Sequence, residues 1–276
     1  MPEILIMRAF ALLTSVAALC LSIPLATPAM AQVETPMTVR VMAKDAKFIG
    51  TSMGGAHVVI RDKMTGDIIA NGVTHGGTGD TKKIMASPRA RDAVLVDDDS
   101  AKFDVSVDLA HPVPVTISAT GPMIARGNAV TTSMDMILIP GKDYSTGNGI
   151  LLELPGFSID IVAPVAGQTA AHDPNKIIDI TANITKLCGC AVGTDTAWDP
   201  SRYDIEMALY KGSVPAGTIK MQPGKTAGEF VAKARMPEPG TYQIYVTAFD
   251  PMTKEGGMAA SSIVLTPSDQ EKTAQK

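Results

Sequence analysis

The stretch "AKFDVSVDLA" constrains this chain more than any other feature. Phe103, Val105, Val107 and Leu109 fall on one side of an extended backbone, and Asp104, Ser106 and Asp108 on the other. A period of two is the side-chain period of a β-strand with one face buried and one wet. "RYDIEMALY" repeats it with Tyr203, Ile205, Met207 and Leu209, and "TYQIYVTAF" with Tyr242, Ile244, Val246 and Ala248. Turn signals such as "KMTGD", "PGK", "TGNG", "EPGT" and "KEGG" separate these runs at short spacing, as a sandwich requires. No capped amphipathic helix follows the N-terminal segment. The expected class is all-β, two antiparallel β-sandwich domains in tandem.

The chain begins with a different pattern. Arg8, an apolar run from Ala9 to Leu21 and the small-residue end Ala29-Met30-Ala31 read as a secretory signal, residues 1–31, cut after Ala31. Glu3 suits such a segment poorly, so Met7 is an alternative start. Leu19 before Cys20 argues against a lipoprotein site. The apolar run is shorter than the roughly 20 residues of a membrane span, and no later stretch approaches that length. The expected location is the periplasm or the extracellular space, with no transmembrane anchor. Leu152 and Leu154 close one alternating run, Pro155-Gly156 break it, and Ile159 to Val162 open another. That places an N-terminal sandwich at 37–155 after a polar lead-in, a C-terminal sandwich at 157–267, and a polar, disordered tail at 268–276. The formal charge is −4 with mixed signs and no basic stripe, which excludes nucleic acid as a partner.

Two stretches resemble known architectures. "GGAHVVIRDKMTGDIIANGVTHGGTGDT" holds a strand ending at Asp62, a Thr65-Gly66 turn, a returning strand and a glycine-rich loop. It resembles transthyretin-like, carboxypeptidase-regulatory sandwiches, which implies a non-catalytic companion module more than an activity. "APVAGQT", "KIIDITANI" and "PEPGTYQIYVTAFD" resemble bacterial immunoglobulin-like or fibronectin-like domains, with Tyr242 as the tyrosine of a tyrosine corner. Ile244 stands where the inter-sheet cysteine of antibody domains would be. Cys188 and Cys190 are therefore not half of that bridge.

These two cysteines are the pair left in the mature chain, and they share "KLCGCAVGTDTAWDP" with its single tryptophan, Trp198. By the immunoglobulin-like resemblance, this segment joins the second and third strands. It would then share a pole with "FDPMTKEGG", bringing Met252 and Met258 toward the cysteines and the junction with the first sandwich close by. Three readings stand. A Cys188–Cys190 disulfide closes a loop worth about 1.6 kcal/mol by chain entropy, against about 3 for fifteen residues, so it shapes a loop more than it staples a fold. Alternatively, both are thiolates on a soft ion such as Cu(I), with Met252 and Met258 in support. In the third, one thiol is free or pairs with a partner protein, and a thiol–disulfide redox role would need an exposed sulfur. Trp198 either anchors a partner or plugs the end of the core.

The remaining candidates have plainer readings. Methionine is abundant, with 16 residues against an aromatic fraction of 4%, so thioethers are expected to fill the core in place of rings. Met134, Met136 and Met207 share apolar alternations and are read as core. His57 and His75 flank one predicted hairpin and form a weak candidate surface site. "VDDDS" lacks the spacing of a calcium loop and reads as a solvated turn between strands, and "THGGTGDT" does not lead into a helix as a phosphate cradle would. No Ser/His/Asp arrangement or paired carboxylate emerges. The expected role is non-catalytic: binding or structure in the cell envelope through the pole around Cys188, Cys190 and Trp198, toward another envelope protein or a small ligand. Copper handling and thiol–disulfide redox chemistry are the alternatives.

Overall fold

The computed structural model describes residues 31–88 and 90–267. The expected signal (apart from Ala31) and the expected tail lie outside that range. Seven strands make the first sandwich: β1 (Val33–Ala43), β2 (His57–Asp62), β3 (Ile68–Val73), β4 (Phe103–Leu109), β5 (Val113–Gly121), β6 (Val130–Leu138) and β7 (Ile150–Leu154). One sheet runs β4-β1-β7 and the other β3-β2-β5-β6. Nine strands make the second: β8 (Phe157–Ala163), β9 (Gln168–Ala171), β10 (Ile177–Lys186), β11 (Asp204–Lys211), β12 (Val214–Lys220), β13 (Gln222–Pro223), β14 (Glu229–Arg235), β15 (Gly240–Asp250) and β16 (Glu255–Thr266). Their sheets run β13-β14-β10-β8 and β12-β11-β15-β16-β9. The helical segments among the described residues are single turns, the longest a π-turn at Lys82–Ala86.

The strand order identifies the second sandwich as immunoglobulin-like. In the usual lettering its first sheet is A-B-E-D, and β11, β15 and β16 supply the C-F-G sheet. Tyr242 forms the corner, its hydroxyl donating to the Glu238 carbonyl at 3.0 Å. Ile244, at the position of the missing cysteine, is fully buried. Alternation decides what each strand contributes: Ile180, Ala182 and Ile184 from β10, Ile205, Met207 and Leu209 from β11, and Ile244 and Val246 from β15 all face inward. Met37, Met42, Met207, Met221 and Met236 are buried, so thioethers do occupy volume that rings would otherwise fill.

Four details differ from the sequence reading. Residues 33–36 are not a lead-in but the start of β1, paired with β4 from Val33↔Leu109 onward. Each sandwich also carries one parallel pair, β1 with β7 and β16 with β9, because in each a strand near its start lies beside its last strand. Met134 is not core. It lies on β6, the outer strand of its sheet, and is 37% exposed, while Met136 is only partly buried. The turn after Val96 is more than solvated: Ser100 is buried, hydrogen-bonded to Asp97, and its carbonyl accepts from the buried Arg40. Substituting Tyr242→Phe is expected to lower stability by about 1 kcal/mol, the net worth of one hydrogen bond, with an unchanged denaturant m-value. Urea unfolding of the two proteins checks this.

Candidate functional site

The pole that the sequence singles out is built by the same alternation that builds the core. Lys186 is in phase with Ile180, Ala182 and Ile184, so the last residue of β10 points between the sheets. Glu255 is in phase with Ile263 and Leu265, so the first residue of β16 does the same. The two side chains meet with 0% of either exposed. The Lys186 ammonium lies 4.4 Å from the centroid of the Phe157 ring and 6.0 Å from that of Tyr203. The second Glu255 oxygen accepts the N–H of Gly156 at 2.9 Å, in the link between the sandwiches. Gly257 makes this approach feasible: a Cβ there would stand 2.7 Å from the Phe157 carbonyl oxygen.

A second charged group lies beside the first. The Arg202 guanidinium sits 2.6 Å from Asp45, in the turn after β1, and 2.8 Å from the fully buried Asp250 at the end of β15. Lys44 donates to the Thr253 carbonyl at 3.1 Å. Burial raises the Asp250 pKa, but the backbone N–H groups of Met252 and Thr253 and the charge of Arg202 outweigh it and hold the carboxyl below its ordinary value. Burial pushes the Tyr203 phenol up to about 12, with Asp250, Asp45 and Glu255 adding to the rise.

The expected site residues are placed as follows. Cys188 and Cys190 are joined through their sulfurs across Gly189, with Cα atoms 5.4 Å apart. Gly189 has φ +78°, a left-handed conformation that lets so short a ring close. Cys188 is buried and Cys190 half-buried. The thioether packed on this ring belongs to Met53, whose sulfur would lie 2.7 Å from a Cβ at Gly189. Met252 is 77% exposed in the turn before β16. Met258 is 56% exposed on the outer face of its sheet, lining a shallow cavity of about 510 Å³ with Tyr210 and Tyr245. Trp198 is 5% exposed, and its indole N–H donates to the Asp45 carbonyl at 3.0 Å. It therefore plugs the junction between the sandwiches instead of standing out as an anchor.

His57 pairs across the sheet with Val73 and Thr120, and His75 is exposed two residues beyond β3, bonded through its backbone to Lys102. Among the described residues no three or more His, Cys, Asp or Glu side chains converge as a metal-binding group. No described helix is long and apolar enough to cross a membrane. Sequence reading missed Lys186, Glu255, Arg202 and Met53. Lys186 was detectable, because a lysine in phase with the core residues of its strand has to be accommodated inside; Glu255 was hidden in the "KEGG" turn signal. Met53 gave no such signal.

No protein-family model matches the chain, and comparison with curated proteins finds no match. Among solved structures, an engineered protein overlaps 47% of this chain at 14% identity and a TM-score of 0.30, and the chain spans only 24% of that protein's length. The fibronectin(III)-like modules of Clostridium thermocellum CbhA overlap 76% of the chain and 78% of their own length at 9% identity and a TM-score of 0.27. The chicken interferon gamma receptor alpha chain overlaps 86% of the chain and 99% of its own length at 11% identity and a TM-score of 0.29. Overlaps at such TM-scores add nothing to the strand orders given above.

Two outcomes are expected at this pole. Trp198→Ala should lower stability by about 3–5 kcal/mol in urea unfolding, as for other large buried side chains. Asp250, ionised below its ordinary value of 3.8 in the folded state, stabilises the fold above that pH and loses its contribution as the pH falls through its lowered value. Asp250→Asn should therefore show a flatter loss of stability than wild type below pH 3.8, measured as urea midpoint against pH.

Proposed function

We propose that this chain is an exported, non-catalytic binding or structural protein of the bacterial cell envelope, and that its two sandwiches act as one stiff body. One observation carries the reading. The loop pole that would otherwise face a partner is occupied within the chain, with Trp198 on Asp45, Arg202 between Asp45 and Asp250, and Met53 on Gly189. A protein that buries a tryptophan and several charges to immobilise its own junction is built to hold a geometry. A partner, either another envelope protein or a small ligand, would then meet the outer sheet faces, such as the one carrying Tyr210 and Tyr245. Export is supported by the Ala29-Met30-Ala31 ending and by the joined cysteines, which suit an oxidising compartment. The transthyretin-like reading of the first sandwich is supported by the β2–β3 hairpin and the glycine-rich return that follows it.

Two measurements test this. Expressed with its own N-terminus in a Gram-negative host, the protein should appear in the periplasmic fraction beginning at Gln32; uncut chain in the cytosol would refute export. Backbone ¹⁵N relaxation should give one common tumbling time for amides of β1–β7 and β8–β16. Two separate times would refute the stiff body.

A second reading, soft-metal handling, is favoured by the Met53 thioether against the Cys188–Gly189–Cys190 ring. Reduced, this corner would offer two thiolates and one thioether, a donor set suited to Cu(I). Titration of the reduced protein with Cu(I) should then show one site, abolished by Cys188→Ser and left unchanged by Met252→Leu. Met53→Leu should weaken it at least about tenfold, the scale found even for outer-shell partners. Equal binding by wild type and Cys188→Ser would rule the reading out.

A further inference from the structure

We propose that Lys186 and Glu255 condense into an amide, cross-linking β10 to β16 inside the second sandwich. Such a bond belongs to the covalent structure of the chain and does not depend on what the chain binds. The two groups are in contact, neither is exposed, and the surfaces beside the Lys186 nitrogen are the rings of Phe157 and Tyr203. Removed from water, an ammonium and a carboxylate lose their hydration, and their mutual attraction only partly offsets that loss. Condensation removes both charges at once.

The geometry also assigns roles to the two carboxyl oxygens. Oε1 touches the lysine nitrogen, which brings the carboxyl carbon, bonded to that oxygen, within reach of the nitrogen. Oε2 is held by the N–H of Gly156 at 2.9 Å. In the step, two protons pass from Nζ to Oε1, the Nζ lone pair forms a bond to Cδ, and the Cδ–Oε1 bond breaks with release of one water. Oε2 becomes the amide oxygen and keeps its hydrogen bond. The Gly156 N–H sits where negative charge gathers on Oε2 in the tetrahedral intermediate, so the donor that stabilises the step is part of the fold. No oxidant, reductant or further reactant enters. Fixed contact replaces the encounter of two free groups, which supplies a large part of what an uncatalysed condensation lacks.

The bond would join the two sheets of a sandwich that lacks the usual inter-sheet disulfide, since Ile244 occupies that position. It would also explain how an inward-facing lysine is accommodated at the end of β10.

The test needs only the purified full chain, denatured, reduced and digested with trypsin. The expected product is residues 177–202 joined to residues 255–272, one water lighter than the sum of the two, with no cleavage after Lys186. Recovery of residues 177–186 as a free peptide in full yield would overturn the proposal and leave an ordinary buried ion pair. In Lys186→Arg the joined species should vanish. Its persistence there would equally overturn the assignment, because the link would then involve another residue.

Discussion

A lysine that alternation forces between two sheets must find an anion there or prevent the sheets from closing. Lys186 finds Glu255, and this contact determines much of what surrounds it. Phe157 and Tyr203 stack edge to face beside the pair and exclude water from it. Gly156 and Gly257 bring the opening strand of the second sandwich close enough for its backbone to bind the glutamate. The link between the sandwiches is thereby pinned at its midpoint, and the first sandwich is held against this pole instead of hanging from a free tether.

Arg202 extends the same logic across the junction. It touches a carboxylate from each sandwich, Asp45 and Asp250, and so bridges the two across the junction. The apolar core is likewise continuous from Met37 in the first sandwich to Leu265 in the second. Apolar packing and charge both tie the two sandwiches at this junction. The loop from Leu187 to Tyr203, which in another setting would be free to recognise a partner, is used to read the chain's own first half.

Most strands were legible because period-two alternation is a local property, and the break at Pro155-Gly156 lies between β7 and β8. The tyrosine corner was legible for the same reason, since its hydrogen bond spans four residues. The loop was less so. Trp198 is buried by contact with Asp45, 153 residues away, and nothing near Trp198 encodes that partner. Met53 against Gly189 is a similar case, a contact between residues far apart in sequence, while Met252 and Met258, the thioethers that sequence pointed to, are exposed. The parallel pairs escaped notice because alternation reports which face a residue takes and is silent on strand direction. Lys186 was within reach, because its phase with Ile180, Ala182 and Ile184 is visible in "KIIDITANITK". Glu255 was not, because it sits in the turn signal "KEGG" and its phase with Ile263 and Leu265 emerges only once β16 is seen to begin there.

The two parallel pairs matter for how this chain would carry tension. In the first sandwich β1, which opens it, runs parallel to β7, which closes it, with Val39–Ala43 in register with Ile150–Leu154. In the second, β9 lies near the start and runs parallel to the final β16, with Gln168–Ala171 in register with Ile263–Thr266. A pull applied along the chain draws such strands past each other lengthwise, so the hydrogen bonds between them are loaded together instead of peeling open one after another. Each sandwich thus offers a stretching force a pair of strands loaded in shear, one near its start and one at its end.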